Sequence, residues 1–124
     1  MKPFQDNFQQ ATYNYVYNFL FPRSADSVIM DQISTDMSSD PPDIGIASMA
    51  NLRNGDFSGV LKEVVALNVP VWLMNIEFFP TDYNAMDSLG FHVVTLPEVG
   101  HFPMLEKPEV FNNLFVETLE EIDQ

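Results

Sequence analysis

Apolar residues are spaced differently in the two halves of this chain. In the first half they recur every three or four positions, the stripe of an amphipathic helix. Phe4, Phe8, Ala11 and Tyr15 keep that spacing, and the denser run Val16, Phe19, Leu20, Phe21 follows until Pro22 stops it. One helix is therefore predicted over residues 4–21. A second is predicted from Ser24 as N-cap, with Asp26 in its first turn and Ile29, Ile33 and Met37 on one face. Asp40-Pro41-Pro42 signals a third start, because Asp caps helices and Pro is tolerated in their first turn. Ile44 and Ala47, with Met49 and Leu52 as further candidates, are expected to face inward until Asn54-Gly55 closes the segment. A short fourth helix is expected over residues 56–67.

From Val69 the texture changes. Val69-Pro70-Val71-Trp72-Leu73-Met74 is a continuous apolar run bounded by Asn68 and Asn75, which reads as a strand buried on both faces. Pro80 or Thr81 opens a helix that Gly90 ends, and Phe91-His92-Val93-Val94-Thr95-Leu96 is a second, β-branched strand. A turn, Pro97-Glu98-Val99-Gly100-His101-Phe102-Pro103, leads to a helix opened by Pro108. Val110, Phe111, Leu114, Phe115, Leu119 and Ile122 give that helix a wide apolar face. Strand, helix, strand, helix with short joints implies parallel pairing through a right-handed crossover. Strands apolar on both faces need neighbouring strands and covering helices, and a parallel pair alone is a small sheet. The first 68 residues supply helices but no strand. The pattern leaves three arrangements open: a sheet completed by another copy or another chain, a part of a larger fold, or a small α-rich domain whose helices cover a two-stranded ribbon.

Composition narrows the class. A length of 124 residues with 46% hydrophobic residues and eleven Phe supports a packed core, not a solvated tail. Eighteen acidic against five basic residues, net charge −13, argue against nucleic acid or an anionic membrane as partner. Such an excess serves equally as solubilising surface. Without cysteine there is neither a disulfide framework nor thiolate chemistry. The start of the chain turns polar at once and no apolar run approaches ~18 residues, so a soluble protein is expected, and the absence of cysteine favours the cytoplasm.

The candidate chemistry lies at His101. A histidine between a strand end and a helix start, next to a glycine that gives the backbone room, is how a proton-transfer group is presented at a sheet's edge. His92 lies inside a strand and reads as structural. Gly100-His101-Phe102-Pro103-Met104-Leu105-Glu106-Lys107-Pro108-Glu109-Val110-Phe111 resembles the terminal segment of α/β-hydrolases, whose catalytic histidine sits in such a loop. The resemblance extends over most of the chain. Residues 1–55 look like the later part of a helical cap, and residues 56–124 look like the C-terminal portion of the core. It implies an α/β fold in which a cap segment is followed by β-α-β-α with parallel strands.

By that resemblance His101 is the general base that takes a proton from a serine hydroxyl. The acid that orients it should follow the first strand. Counting Asn75-Ile76 against the family's usual His-Gly puts Phe79 at that position; a shorter turn selects Glu77 and a longer one Asp82. Glu77 is favoured, because the role needs only a carboxylate bonding the histidine's far nitrogen. A surface or helix-capping carboxylate is the competing reading of either acid.

The nucleophile is where the chain departs from the family. An elbow reads G-x-S-x-G on a strand-to-helix turn. The nearest approach, Gly55-Asp56-Phe57-Ser58-Gly59, has the wrong spacing and follows a helix, while Ser38, Ser39 and Ser48 sit in helical or polar stretches. A base without a nucleophile forms no covalent intermediate, so an acyl ester or lactone hydrolase lineage is expected in a chain that is a fragment or inactive by itself. Whether it acts as an enzyme therefore stays open. Its substrate would be a small acyl compound if the missing half completes the site, and a homo-oligomer or a complementing chain is the candidate protein partner. The alternative is a non-enzymatic interaction or ligand-binding module derived from the hydrolase fold. Two histidines without HExxH spacing make a metal site unexpected, and Asp36, Asp40 and Asp43 lack a calcium-loop pattern. With no glycine-rich phosphate loop either, no cofactor is expected. Phe4, Phe8 and Tyr15, with Met30, Met37, Met49 and Met104, could line an apolar substrate pocket, though core packing competes for each.

Overall fold

The computed structural model describes residues 2–55 and 58–122. It is a mixed α/β structure, mostly helical, with a small parallel sheet of two strands. The chain divides into two compact units, Met1–Asp56 and Phe57–Gln124.

The first unit is helical. The single helix expected over residues 4–21 is two: α1 (Lys2–Asp6) and α2 (Phe8–Phe19). Asn7 breaks it by leaving helical geometry (φ −154°) and accepting the Gln10 N–H on its side chain, 3.2 Å. A short amide side chain competes with the helix for backbone donors in this way. The next helix, α3 (Ser27–Ser38), starts later than expected because Asp26, not Ser24, is its N-cap. Ser24 is used up in a turn closed by Ala25 N–H to the Pro22 carbonyl (3.0 Å), and the Asp26 carboxylate accepts from Val28 N at 2.7 Å. Phe8, Val16, Leu20, Phe21 and Ile33 are the buried apolar side chains of this unit.

The helix α4 (Pro42–Asn54) starts and stops where Pro42 and Gly55 indicate, but apart from Met49 it turns a different face inward. Ile44 is 60% exposed, Leu52 71% exposed, and Ala47 is exposed too. The half-buried positions are Gly45, Ile46, Met49 and Ala50. Gly45 sets this rotation: a Cβ there would stand 2.2 Å from Phe8 Cζ, so only a bare backbone fits against the ring.

The second unit begins with α5 (Ser58–Ala66); of the helix expected over residues 56–67, Asp56 and Phe57 lie outside the described residues. Strand β1 is Val71–Ile76, two residues later than the apolar run suggests. Pro70 has no N–H to give a ladder, and Asn68 turns the chain at φ +52°. Asn75, read as a terminator, belongs to the strand and pairs with Thr95. The helix α6 (Tyr83–Ser88) opens later than Pro80 or Thr81 because Asp82 is its N-cap, and Gly90, just past the C-cap Leu89, takes a φ of +72° that suits glycine. Strand β2 (Phe91–Leu96) occupies the expected residues and runs parallel to β1, from Val71↔Phe91 to Ile76↔Leu96.

Register partners share a face. Asn75 and Thr95 both reach the crossover: Asn75 Nδ2 donates to Thr81 Oγ1 and Thr95 Oγ1 bonds Tyr83 Oη, each at 2.9 Å. Trp72 and His92 stack on the opposite face with ring centroids 4.5 Å apart. A short helix, α7 (Pro103–Glu106), precedes the expected α8 (Pro108–Ile122). On α8 the inward stripe is Phe111, Leu114 and Thr118, and most of its wide apolar face is exposed. Leu96 and Val99 are the fully buried anchors of this unit. Among the described residues no helix is long and apolar enough to cross a membrane.

Candidate functional site

The loop that carries His101 starts where β2 ends. Glu98 takes a left-handed conformation (φ +54°), which costs a side chain other than Gly or Asn about 1 kcal/mol. That turn sends Val99 and Gly100 into the interior while His101 is exposed. Phe102 is the N-cap of α7 and Pro103 its first residue, a position suited to a missing N–H. The outer side of the loop is joined by Lys107 Nζ to Glu98 Oε2, 3.0 Å. Its inner side is tied by Glu106. Oε2 accepts from Gly100 N at 2.9 Å and Oε1 from Phe102 N at 3.1 Å, one bond on each flank of His101.

His101 lies on an open cleft of about 350 Å³ beside the C-terminal end of β1. Met74, Ile76, Met104 and Phe111 supply its apolar lining, and Asn75 and Thr81 its polar lining. The imidazole meets two aromatic rings edge-on, Phe102 at 5.1 Å and Phe79 at 6.0 Å between centroids. Phe79, the residue that the count against the family's turn expects to be the acid, sets its ring nearly perpendicular to the imidazole.

The two candidate acids differ in their surroundings. Asp82 Oδ1 accepts from Ala85 N at 3.0 Å, so its carboxylate caps α6. Glu77 is exposed in the turn after β1, and its backbone N–H donates to the Leu96 carbonyl at 3.0 Å, joining that turn to the end of β2. Among the described residues His101 makes no hydrogen bond to a carboxylate. His92 is an exposed strand residue stacked on Trp72.

Two of the candidate serines are bonded within their own helix. Ser38 and Ser39 donate to the Thr35 carbonyl at 2.9 and 2.8 Å, as helix residues commonly do. Ser48 is exposed on α4. In the Gly55–Gly59 stretch, Asp56, Phe57 and the Ser58 side chain lie outside the described residues. Among the described residues no group of three or more His, Asp or Glu is placed to hold a metal ion.

Sequence reasoning missed Glu106, because its signal is a pair of bonds to the backbone and has no spacing of its own. The nearest available cue was the returning glutamate of a capping box, which here falls one position late. The chain matches no family model, no curated protein and no solved structure.

Proposed function

We propose that the second unit carries half of an acyl ester or lactone hydrolase site of the α/β-hydrolase type, with His101 as general base. The serine that it would serve has no counterpart in this sequence and would come from a complementing chain. The single observation behind this reading is the histidine loop directly after a strand paired in parallel with its predecessor, beside an apolar cleft. In the reaction one imidazole nitrogen takes the serine proton as the hydroxyl attacks the acyl carbon. The same nitrogen returns that proton to the leaving alkoxide. Glu77 is our choice for the orienting acid, since Asp82 is committed to its helix cap.

The test is co-expression with a polypeptide that carries additional parallel strands and a G-x-S-x-G elbow, followed by an aryl ester assay. The 124-residue chain alone should be inactive. The complemented pair should turn over, and His101→Ala should abolish that turnover. Robust hydrolysis by the chain alone, lost in His101→Ala, would refute the missing-nucleophile reading. Complemented activity indifferent to His101→Ala would refute the base.

A second reading, a non-enzymatic ligand-binding or interaction module, draws on Phe79 standing edge-on to His101 where an acid is expected. Under it, His101→Ala leaves ligand binding intact and no complementing elbow restores hydrolysis.

A further inference from the structure

We propose that Glu106 is the positioning residue of the His101 loop, and that only a carboxylate of this length can fill the role. Its catalytic meaning rests on the reading of His101 as a base, but the positioning itself does not. After β2 ends at Leu96, the Gly100 and Phe102 amides lie beyond the ladder, and α7 lacks a side-chain cap from its own N-cap residue. Gly100 is buried, so an unpaired N–H there would cost about 1–3 kcal/mol. The two oxygens of Glu106 satisfy the two donors at 2.9 and 3.1 Å. Pinning the amides on both sides of one residue fixes its Cα and the direction of its side chain. From that position the His101 ring makes its edge-on contacts with Phe79 and Phe102.

The chemistry is selective. Glutamine has one acceptor oxygen, and its amide nitrogen would turn a donor toward a donor. Aspartate keeps the charge but is one methylene short of spanning both amides. The neighbouring Lys107–Glu98 pair is a built-in comparison. It ties the same loop from outside, but it is exposed, and exposed pairs contribute little.

The deciding experiment is residue-resolved amide exchange on the whole chain, with the through-space proton contact between the His101 and Phe79 rings as a second readout. In the unmodified chain the Gly100 and Phe102 amides should be protected and the ring contact present. Glu106→Gln should speed exchange at Gly100 or Phe102 by about tenfold or more and abolish the ring contact, while β1 and β2 amides stay protected. Glu106→Asp should do the same despite its charge, and Lys107→Met should change neither readout. Unchanged exchange and a surviving ring contact in both Glu106 variants would overturn the proposal. In the complemented ester assay, Glu106→Gln should lower kcat by about 10- to 100-fold with KM unchanged. An unchanged kcat there, with His101→Ala inactive, would overturn the positioning role while leaving the base intact. A ring contact that depends on Glu106, in a pair indifferent to His101→Ala, supports the positioning role and removes the base.

Discussion

The two units solve the burial problem with unequal success. In the first, α1 to α4 each have another helix to face, and Phe8, Val16, Leu20, Phe21 and Ile33 are buried among them. In the second, β1 is apolar on both faces, yet all six of its residues are only half-buried. Val110, Phe115, Leu119 and Ile122 remain exposed on α8, as do Val60, Leu61 and Val65 on α5. The difference lies in what each element needs. An amphipathic helix has one stripe to cover and finds cover in a neighbouring helix. A parallel strand has two faces and two edges, and two strands leave an edge open on each side.

That contrast can be broken or sharpened by mutation. The largest effect should come from Leu96→Ala, which removes a side chain with 0% exposure and should cost about 2–5 kcal/mol of stability in urea unfolding. Phe115→Ala, at 46% exposure, should fall within about 0.5 kcal/mol of the unmodified chain. A loss at Phe115 as large as that at Leu96 would mean that the α8 face is covered in solution, and the contrast would fail.

In the first unit the closest fit is Gly45 against Phe8. Gly45→Ala should lose about 1–3 kcal/mol through overpacking, against a helix-propensity gain of about 1 kcal/mol. Phe8→Leu made in the Gly45→Ala background should recover part of the loss, a coupling that a double-mutant cycle reads directly. Additive losses would show that the ring and the glycine do not restrain each other.

The smallest effect is electrostatic. Tyr13 Oη donates to Asp31 Oδ1 at 2.6 Å, linking α2 to α3. That bond, followed by desolvation and the negative charge of Asp31, raises the phenol above its ordinary value of 10.0. The folded state therefore holds this proton more tightly than the unfolded chain does. Its contribution to stability is complete below pH 10.0 and is lost as pH rises through the folded value. Tyrosinate absorbance should show one late-ionising residue that disappears in Tyr13→Phe. Stability of the two proteins should differ less above that pH than below it. A Tyr13 that ionises with the exposed tyrosines would remove this link from the first unit.

Much of the element order was legible because it depends on single residues that stop or start a backbone. Pro42, Gly55, Gly90 and Pro108 mark boundaries that the structure keeps. The parallel pairing was legible from the strand–helix–strand order alone. Three of the misplaced boundaries share one cause. At Asn7, at Ser24 against Asp26, and at Asn75, a polar side chain had several bonds open to it, and the choice depended on neighbours. The face of α4 was illegible for a different reason. Its rotation follows from Phe8, more than thirty positions away in the sequence, and no periodicity within the helix contains that residue. At the site, His101 stood out by its Gly-His setting, whereas Glu106 did not, since a backbone clamp leaves no pattern of residue types.

By itself the sequence determined most of the helices and both strands, that β1 and β2 run parallel, and that His101 follows the second strand on a turn. Those properties depend on backbone propensity, chain stops and connection length, all local to the segments concerned. Tertiary structure alone decided that Phe79 meets the imidazole, that Asp82 caps a helix, and that one carboxylate grips the amides on either side of His101. Each of these is settled by which atoms arrive at one point in space. A chain that has only its order to offer does not specify that arrival until the turns at Glu98 and Gly90 have been folded.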